Sequence, residues 1–225
     1  MERDGARAVI LGDDARHLAR SLRARVGERI EVVDPAGLLL TVRLDHVSAD
    51  RVEGTVLSER EHRPEPSARI VIGIANLPAP ALELVLSRCT EAGAFGFHVI
   101  QADRSVARGS KPERWLTICR EAAMLAGRLR IPEVGGPSSL SDVVAGAEHP
   151  VMLARGAPQR LARMHEPQNV TLLVGPEGGW TDRELELVPG KASLGPRNLR
   201  ADTAAIFALA TALSSRDEPT PHLSP

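Results

Sequence analysis

A chain of 225 residues has room for two domains of unequal size, each able to bury a core of its own, and it contains no apolar run near the roughly 18 to 20 residues of a membrane span. The formal charge of -1 conceals a bias: 26 of the 28 basic residues are Arg, yet residues 1–63 set 11 Arg against 12 Asp plus Glu and the remainder sets 17 Arg plus Lys against 17 Asp plus Glu, so neither part is a basic nucleic-acid-binding module of the usual kind. With no Tyr, and aromatic rings only at Phe95, Phe97, Phe207, Trp115 and Trp180, a base-stacking platform is disfavoured as well.

The N-terminus, MERDGARAV, lacks the basic and then apolar run of a signal peptide, so a cytoplasmic protein without a membrane partner is expected. Residues 8–57 read as short strands around one helix: AVIL, a helix from Asp13 to Arg25, RIEVVD, a turn at Pro35-Ala36-Gly37, LLLTVRLDHV and RVEGTVL. This predicts a small β-rich domain over residues 1–65. EREHRPEPS, residues 59–67, is charged and carries two prolines, as a linker does.

From residue 66 to 225 strands alternate with helices: RIVIGI, a helix at 81–92, FHVIQ, helices at 112–127 and 140–147, VMLA, NVTLLV, a helix at 181–188 and a last helix from Asp202. That alternation predicts an α/β domain on a parallel sheet, with VIGI and TLLVG as buried central strands. Cys89 and Cys119 fall in separate helical patterns without a CxxC or Cys/His cluster, so core thiols and no metal site are expected. Residues 216–225 read as a mobile tail.

Two loops carry the chemistry. VTLLVGPEGGW runs a buried strand directly into a glycine-rich turn before a helix, which is where α/β sheets bind ligands. KASLGPRNLRADTA repeats the Gly-Pro pair at Gly195-Pro196, again ahead of a helix, so the two loops are expected to line one pocket. The same residues also suit purely local roles: Gly175, Gly178 and Gly179 as positive-φ positions, Thr181 and Asp202 as helix caps, Arg197 and Arg200 as ion-pair partners of Glu177 or Asp182. No Gly-Lys-Ser/Thr follows the first loop and G-x-G-x-x-G is absent, which disfavours a nucleotide phosphate loop.

VGPEGGW at 174–180 together with SLGPRNLRADTA at 193–204 resembles the signature of the SPOUT superfamily and, within it, the 16S ribosomal RNA uridine-N3 methyltransferases. His17-Leu18, Leu22-Arg23, Arg104-Ser105-Val106, Gly127-Arg128 and Ile131-Pro132-Glu133 match the same family in the same order. The resemblance implies a PUA-like β-barrel followed by an α/β domain with a trefoil knot, a homodimer, and S-adenosylmethionine (SAM) as cofactor. It also implies 16S ribosomal RNA, free or in the assembled small subunit, as substrate.

Carried over by motif, the cofactor would be held by the backbone of Leu153 to Arg155 and by Val174, Gly175, Pro176, Glu177, Gly178, Gly179, Leu194, Gly195, Pro196, Asn198, Leu199 and Thr203. Arg197 and Arg200 would stabilise charge on the uracil carbonyls, and Glu177 is the candidate base. RNA would meet Arg16, Arg20, Arg23, Arg25, Arg104 and Arg128, with Arg16, Arg20 and Arg23 on one side of the N-terminal helix. The chain departs from the family pattern in a first strand, with its basic residue, that is expected to be missing or shortened, in ANLPAPAL at 75–82, which lacks a lysine-containing turn, and at Met124-Leu125-Ala126. Those departures leave room for a cofactor-binding knotted protein with altered or lost RNA methylation.

Overall fold

The computed structural model describes residues 2–34, 36–164 and 168–214. The expected tail at 216–225 lies outside the described residues. The chain forms two compact units, Met1–Pro64 and Glu65–Pro225.

The first unit is a five-stranded antiparallel sheet in the order β1-β2-β5-β4-β3, built from β1 (Glu2–Asp4), β2 (Arg7–Leu11), β3 (Arg29–Asp34), β4 (Leu38–Val47) and β5 (Arg51–Glu61). Alternation along β4 sends Leu40, Val42 and Leu44 inward, where they meet Ala8, Ile10 and Val52, and leaves Arg43 and Asp45 in solvent. Register shifts between Thr41 and Val42 and between Leu44 and His46 bend the long β4–β5 pair, and Gly54 sits where a Cβ would lie 2.4 Å from the Arg43 carbonyl oxygen. The first strand is short but present. Part of the expected linker, through Glu61, belongs to β5.

The expected helix at 13–25 is shorter and ends differently. α1 (Gly12–Arg16) widens over His17–Ser21 into a looser turn closed by Leu22 N–H to His17 O at 3.1 Å and Ala24 N–H to Leu18 O at 3.0 Å. Arg23 takes a left-handed φ of 53°, a conformation a glycine would have signalled and an arginine did not. Arg23 therefore leaves the helix, and the single-sided stripe of Arg16, Arg20 and Arg23 does not form. Arg16 pairs with Asp13.

The second unit carries a six-stranded parallel sheet in the order β11-β9-β10-β6-β7-β8. Its strands are β6 (Arg69–Ala75), β7 (Gly96–Ile100), β8 (Glu133–Ser138), β9 (Pro150–Leu153), β10 (Asn169–Val174) and β11 (Lys191–Ala192). The helices are α2 (Ala79–Glu91), α3 (Pro112–Leu125), α4 (Leu140–Gly146), α5 (Asp182–Leu187) and α6 (Ala201–Ser214). β6 and β10 pair in register from Arg69–Asn169 to Ile74–Val174 and are apolar on both faces because helices cover both. The chain fills the sheet outward from β6 to β8 and then returns on the far side through β9, so the order reverses beside β6 and β10. Such a reversal opens a crevice at the carboxyl ends of the strands.

β8 escapes sequence reading because EVGGPS looks like a turn. Its glycines serve close approach: a Cβ on Gly136 would lie 2.3 Å from the Val99 carbonyl oxygen.

Cys89 and Cys119 are fully buried in this unit. Burial, reinforced by the neighbouring Cys119, pushes the Cys89 thiol from its ordinary 9.0 up to about 12, and burial raises Cys119 too. Native protein at pH 8 is expected to resist iodoacetamide at both thiols and to react at both once unfolded, as mass spectrometry would show. Because the unfolded thiol ionises first, the stabilising difference is intact below pH 9 and is lost as pH rises from there toward 12.

Candidate active site at the carboxyl ends of the strands

β10 stops at Val174, and the next turn is fixed by four braces. Thr181 and Glu184 form a capping box at the start of α5: the Glu184 amide donates to Thr181 Oγ1 at 3.3 Å and the Thr181 amide to Glu184 Oε2 at 2.8 Å. Glu184 is buried, and its Oε1 accepts from the Asp103 amide at 2.9 Å. Arg104 donates from Nη1 to the Gly178 carbonyl at 2.8 Å and to the Trp180 carbonyl at 3.3 Å. Trp180, buried, donates from Nε1 to the Leu153 carbonyl at 3.1 Å and so ties the glycine turn to the end of β9.

The glycines have distinct tasks. A Cβ on Gly175 would lie 2.9 Å from Trp180 Cε2, so Gly175 makes room for the indole. A Cβ on Gly178 would meet Arg104 Cβ at 3.3 Å. Gly179 has a φ of 68° and open space where its side chain would be. Gly195, in the second loop, has a φ of 114°.

That second loop is held from both sides. Met152 and Ala154 donate their amides to the carbonyls of Gly190 and Ala192 at 2.8 and 2.9 Å. On the opposite side, Ser193 donates to Gln159 O at 2.9 Å and Leu161 donates to Ser193 O at 3.0 Å. Residues 190–193 therefore lie between β9 and the segment that follows β9 a few residues later.

The two loops enclose a recess of about 370 Å³, within the range of small-molecule sites. Of the residues expected to hold a cofactor, Leu153, Val174, Gly175, Pro176, Glu177, Gly178 and Gly179 line it from one side, with Ala154 and Arg155. Leu194, Gly195, Asn198 and Leu199 line it from the other. Pro196 belongs instead to a neighbouring recess, and Thr203 lines neither: its Oγ1 donates to Asp202 Oδ1 at 3.2 Å. Trp180, Leu185, Ala201 and Ala204 complete the wall and were not singled out from sequence. A Thr-x-x-Glu pattern at 181–184 was the available signal for the brace at Glu184, whereas nothing in the sequence pairs Trp180 with Leu153.

Among the catalytic candidates, Glu177 and Arg197 line the recess. Arg200 does not: its largely exposed side chain places Nε 3.7 Å from Asp202 Oδ2, the carboxylate it meets in place of the expected Glu177 or Asp182. Asp202 does not occupy the flanking cap position, because the helix begins at Ala201; its Oδ1 instead accepts from the Thr203 amide at 2.6 Å inside the first turn.

The expected RNA contacts divide. Arg20, Arg23 and Arg25 are exposed and have no ion pair among the described residues. Arg104 is committed to the glycine turn. Arg128 is a correction: its side chain is 3% exposed, donates from Nη1 to the carbonyls of Thr90 and Ala94 at 2.9 Å each, and pairs with Glu65 at 2.5 Å. A guanidinium so enclosed does not meet RNA.

Comparison with known proteins assigns both units. An RNA methyltransferase domain matches residues 63–213 and an RNA methyltransferase PUA domain matches residues 10–57. A protein of Synechocystis named ribosomal RNA small subunit methyltransferase E is 33% identical over 86% of this chain and 68% of its own. The Mycobacterium bovis protein of the same name is 33% identical over 91% of this chain and 85% of its own. A protein of Legionella pneumophila, solved in complex with the bound cofactor SAM, superposes with a TM-score of 0.83 at 26% identity, over 96% of this chain and 94% of that one. The α/β methyltransferase fold and the PUA-like domain before it agree with these matches, and the chain belongs to the family of ribosomal RNA small subunit methyltransferases E.

Proposed function

We propose that the protein methylates N3 of a uridine in 16S ribosomal RNA, with SAM held in the recess between the two glycine loops. The observation that carries this reading is the recess itself, built at the sheet's reversal point from residues of the family-matched domain. Gly179 and Gly195 supply backbone that an L side chain would strain, and Gly175 keeps the wall at Trp180 in place, so small residues stand where a ligand's close approach needs them. SAM would supply the methyl group. Relatives named as methyltransferases favour the enzyme over a cofactor-binding protein that has lost catalysis.

Uridine N3 carries a proton at neutral pH, and its removal leaves negative charge on the ring carbonyls. Arg197, exposed in the recess wall, would stabilise that charge with a bidentate guanidinium, and Glu177 on the facing loop would take the proton; their presence in the lining supports both roles. Arg200 adds charge from beyond the wall. The edge being modified is the pairing edge, so the base enters unpaired; Arg20, Arg23 and Arg25 of the PUA-like unit are exposed cations that would meet its phosphates, and Arg16 would join them on leaving its pair with Asp13.

Two further features follow in this reading. The chain at 190–193 is bonded to residues 152–154 on one side and to 159–161 on the other, so residues 155–158 must pass around it, which supports the trefoil knot of the superfamily. Phe207, a large apolar side chain 55% exposed on the Ala- and Leu-rich α6, supports a two-fold contact between copies. Among the described residues no helix is long and apolar enough to cross a membrane, in keeping with an enzyme that meets small subunits in the cytoplasm.

The test is methyl transfer to small subunits from a strain lacking the protein, with the modified base identified by mass mapping. Arg197→Ala is expected to cut the rate about 10²-fold, the scale of losing one preorganised donor, while calorimetry shows SAM affinity little changed. Wild-type protein that gives no heat with SAM, or an alanine variant at the wild-type rate, would remove the recess or Arg197 from the mechanism.

A further inference from the structure

Beside the first recess lies a second, of about 320 Å³, lined by Arg155, Gly156, Pro158, Arg160, Ser193 and Gly195 among others. Arg155 and Gly195 line both, so the two are contiguous. Its chemistry is one-signed. Segments 154–163 and 193–200 hold Arg155, Arg160, Arg163, Arg197 and Arg200 and no Asp or Glu. Neither Arg155 nor Arg160 has a carboxylate partner among the described residues, in a chain where Arg7, Arg51, Arg88 and Arg114 all have one.

The cations are also set on fixed backbone. Arg160 stands between the two ladder bonds that Gln159 and Leu161 make to Ser193, at 2.9 and 3.0 Å. A Cβ on Gly195 would lie 3.7 Å from Arg160 Nη1, so that glycine leaves the guanidinium uncovered, and Gly156, at a φ of 83°, has open space beside it. An exposed guanidinium without an acidic neighbour, on backbone that is already ordered, is suited to an anion with several acceptor oxygens. A protein of net charge -1 that handles RNA must gather such cations locally.

We propose that this second recess is a phosphate subsite, in which Arg155 and Arg160 hold a backbone phosphate of the substrate RNA next to the nucleotide presented to the first recess. The proposal rests on the methyltransferase reading for the identity of the RNA. The phosphate sets the register of the strand, and the base reaches the first recess from that anchor. Carboxylate chemistry has a second source, the amino-acid end of the cofactor, and the experiment separates the two.

Arg160→Glu, which touches only the second recess, is measured against wild type in three ways: KM for small subunits from a strain lacking the protein, binding of 16S RNA extracted from them across a KCl series, and SAM affinity by calorimetry. KM and the RNA dissociation constant are expected to rise about tenfold or more, as loss of a charged hydrogen bond requires, with the salt slope reduced by about one. SAM affinity stays within about twofold, and Arg160→Lys recovers the salt slope but only part of the affinity. Unchanged RNA affinity and salt slope would overturn the proposal. So would a variant that loses SAM and keeps RNA, which would give the recess to the cofactor. If wild-type protein bound RNA but transferred no methyl group, the functional reading would fail while the salt series still scored the subsite.

Discussion

Arg128→Ala is expected to lower the free energy of unfolding by about 3 to 5 kcal/mol, the range for removing one member of a buried ion pair. The guanidinium reaches three acceptors on three segments: the Thr90 carbonyl in the last turn of α2, the Ala94 carbonyl ahead of β7, and the Glu65 carboxylate at the start of the second unit. Glu65 in turn accepts from the Leu129 amide at 3.0 Å. Alanine would leave the Ala94 carbonyl without its donor, the Thr90 carbonyl with only the Gly93 amide, and a carboxylate without its cation. Lysine offers a point charge where a planar fork spans separate directions, so Arg128→Lys is expected to recover less than half of the loss. Chemical denaturation measures both, and an alanine variant within about 1 kcal/mol of wild type would show that the cluster is replaceable. The residue entered as a candidate RNA contact; its measurable role is to hold the second unit together.

Gly175→Val is expected to weaken SAM binding by about 10- to 100-fold while leaving the domain folded. The first carbon of any side chain there would stand 2.9 Å from the Trp180 ring, and the indole cannot retreat without giving up its hydrogen bond to the Leu153 carbonyl. Forcing a packed group out of place costs about 1 to 3 kcal/mol, and about 1.4 kcal/mol is tenfold in affinity. Trp180→Phe, which keeps an aromatic ring but loses the Nε1 donor and part of the indole's volume, relieves the contact that a side chain at position 175 would make and is expected to cost less than Gly175→Val. Calorimetry that found the valine variant binding as tightly as wild type would separate the indole brace from the cofactor site. Gly178→Val is a weaker test, because its side chain would press first on Arg104.

Most strands of both units were legible from period and composition, since RIEVVD, LLLTVRLDHV and NVTLLV carry either clear alternation or a continuous apolar run between turn residues. The two glycine loops were legible as one pocket because each joins a strand to a helix through a Gly-Pro pair. What sequence could not show was the pairing of distant residues. Arg104 and Arg128 read alike as basic residues after an α/β element, yet one braces a loop and the other is buried, a difference set by which carbonyls the fold brings near. β8 was hidden because its glycines permit close approach of a neighbouring strand and in isolation spell a turn. The end of the N-terminal helix was hidden because a non-glycine residue, Arg23, takes the left-handed position.

The two outer strands of the parallel sheet have a consequence for solubility. An open sheet edge is a row of unpaired amides and carbonyls on which another chain can build, and a sheet with a core as apolar as β6 and β10 would make that growth favourable. Here each edge is interrupted. β11 is two residues long, and the free side of its continuation at Ser193 is already bonded to Gln159 and Leu161. At the other edge β8 is broken by Gly135-Gly136-Pro137 ahead of its last residue, Ser138, where proline has no amide to donate and the glycines carry no side chain to pack. The domain can therefore keep its most hydrophobic strands at the centre of the sheet without offering a flank for intermolecular β-pairing.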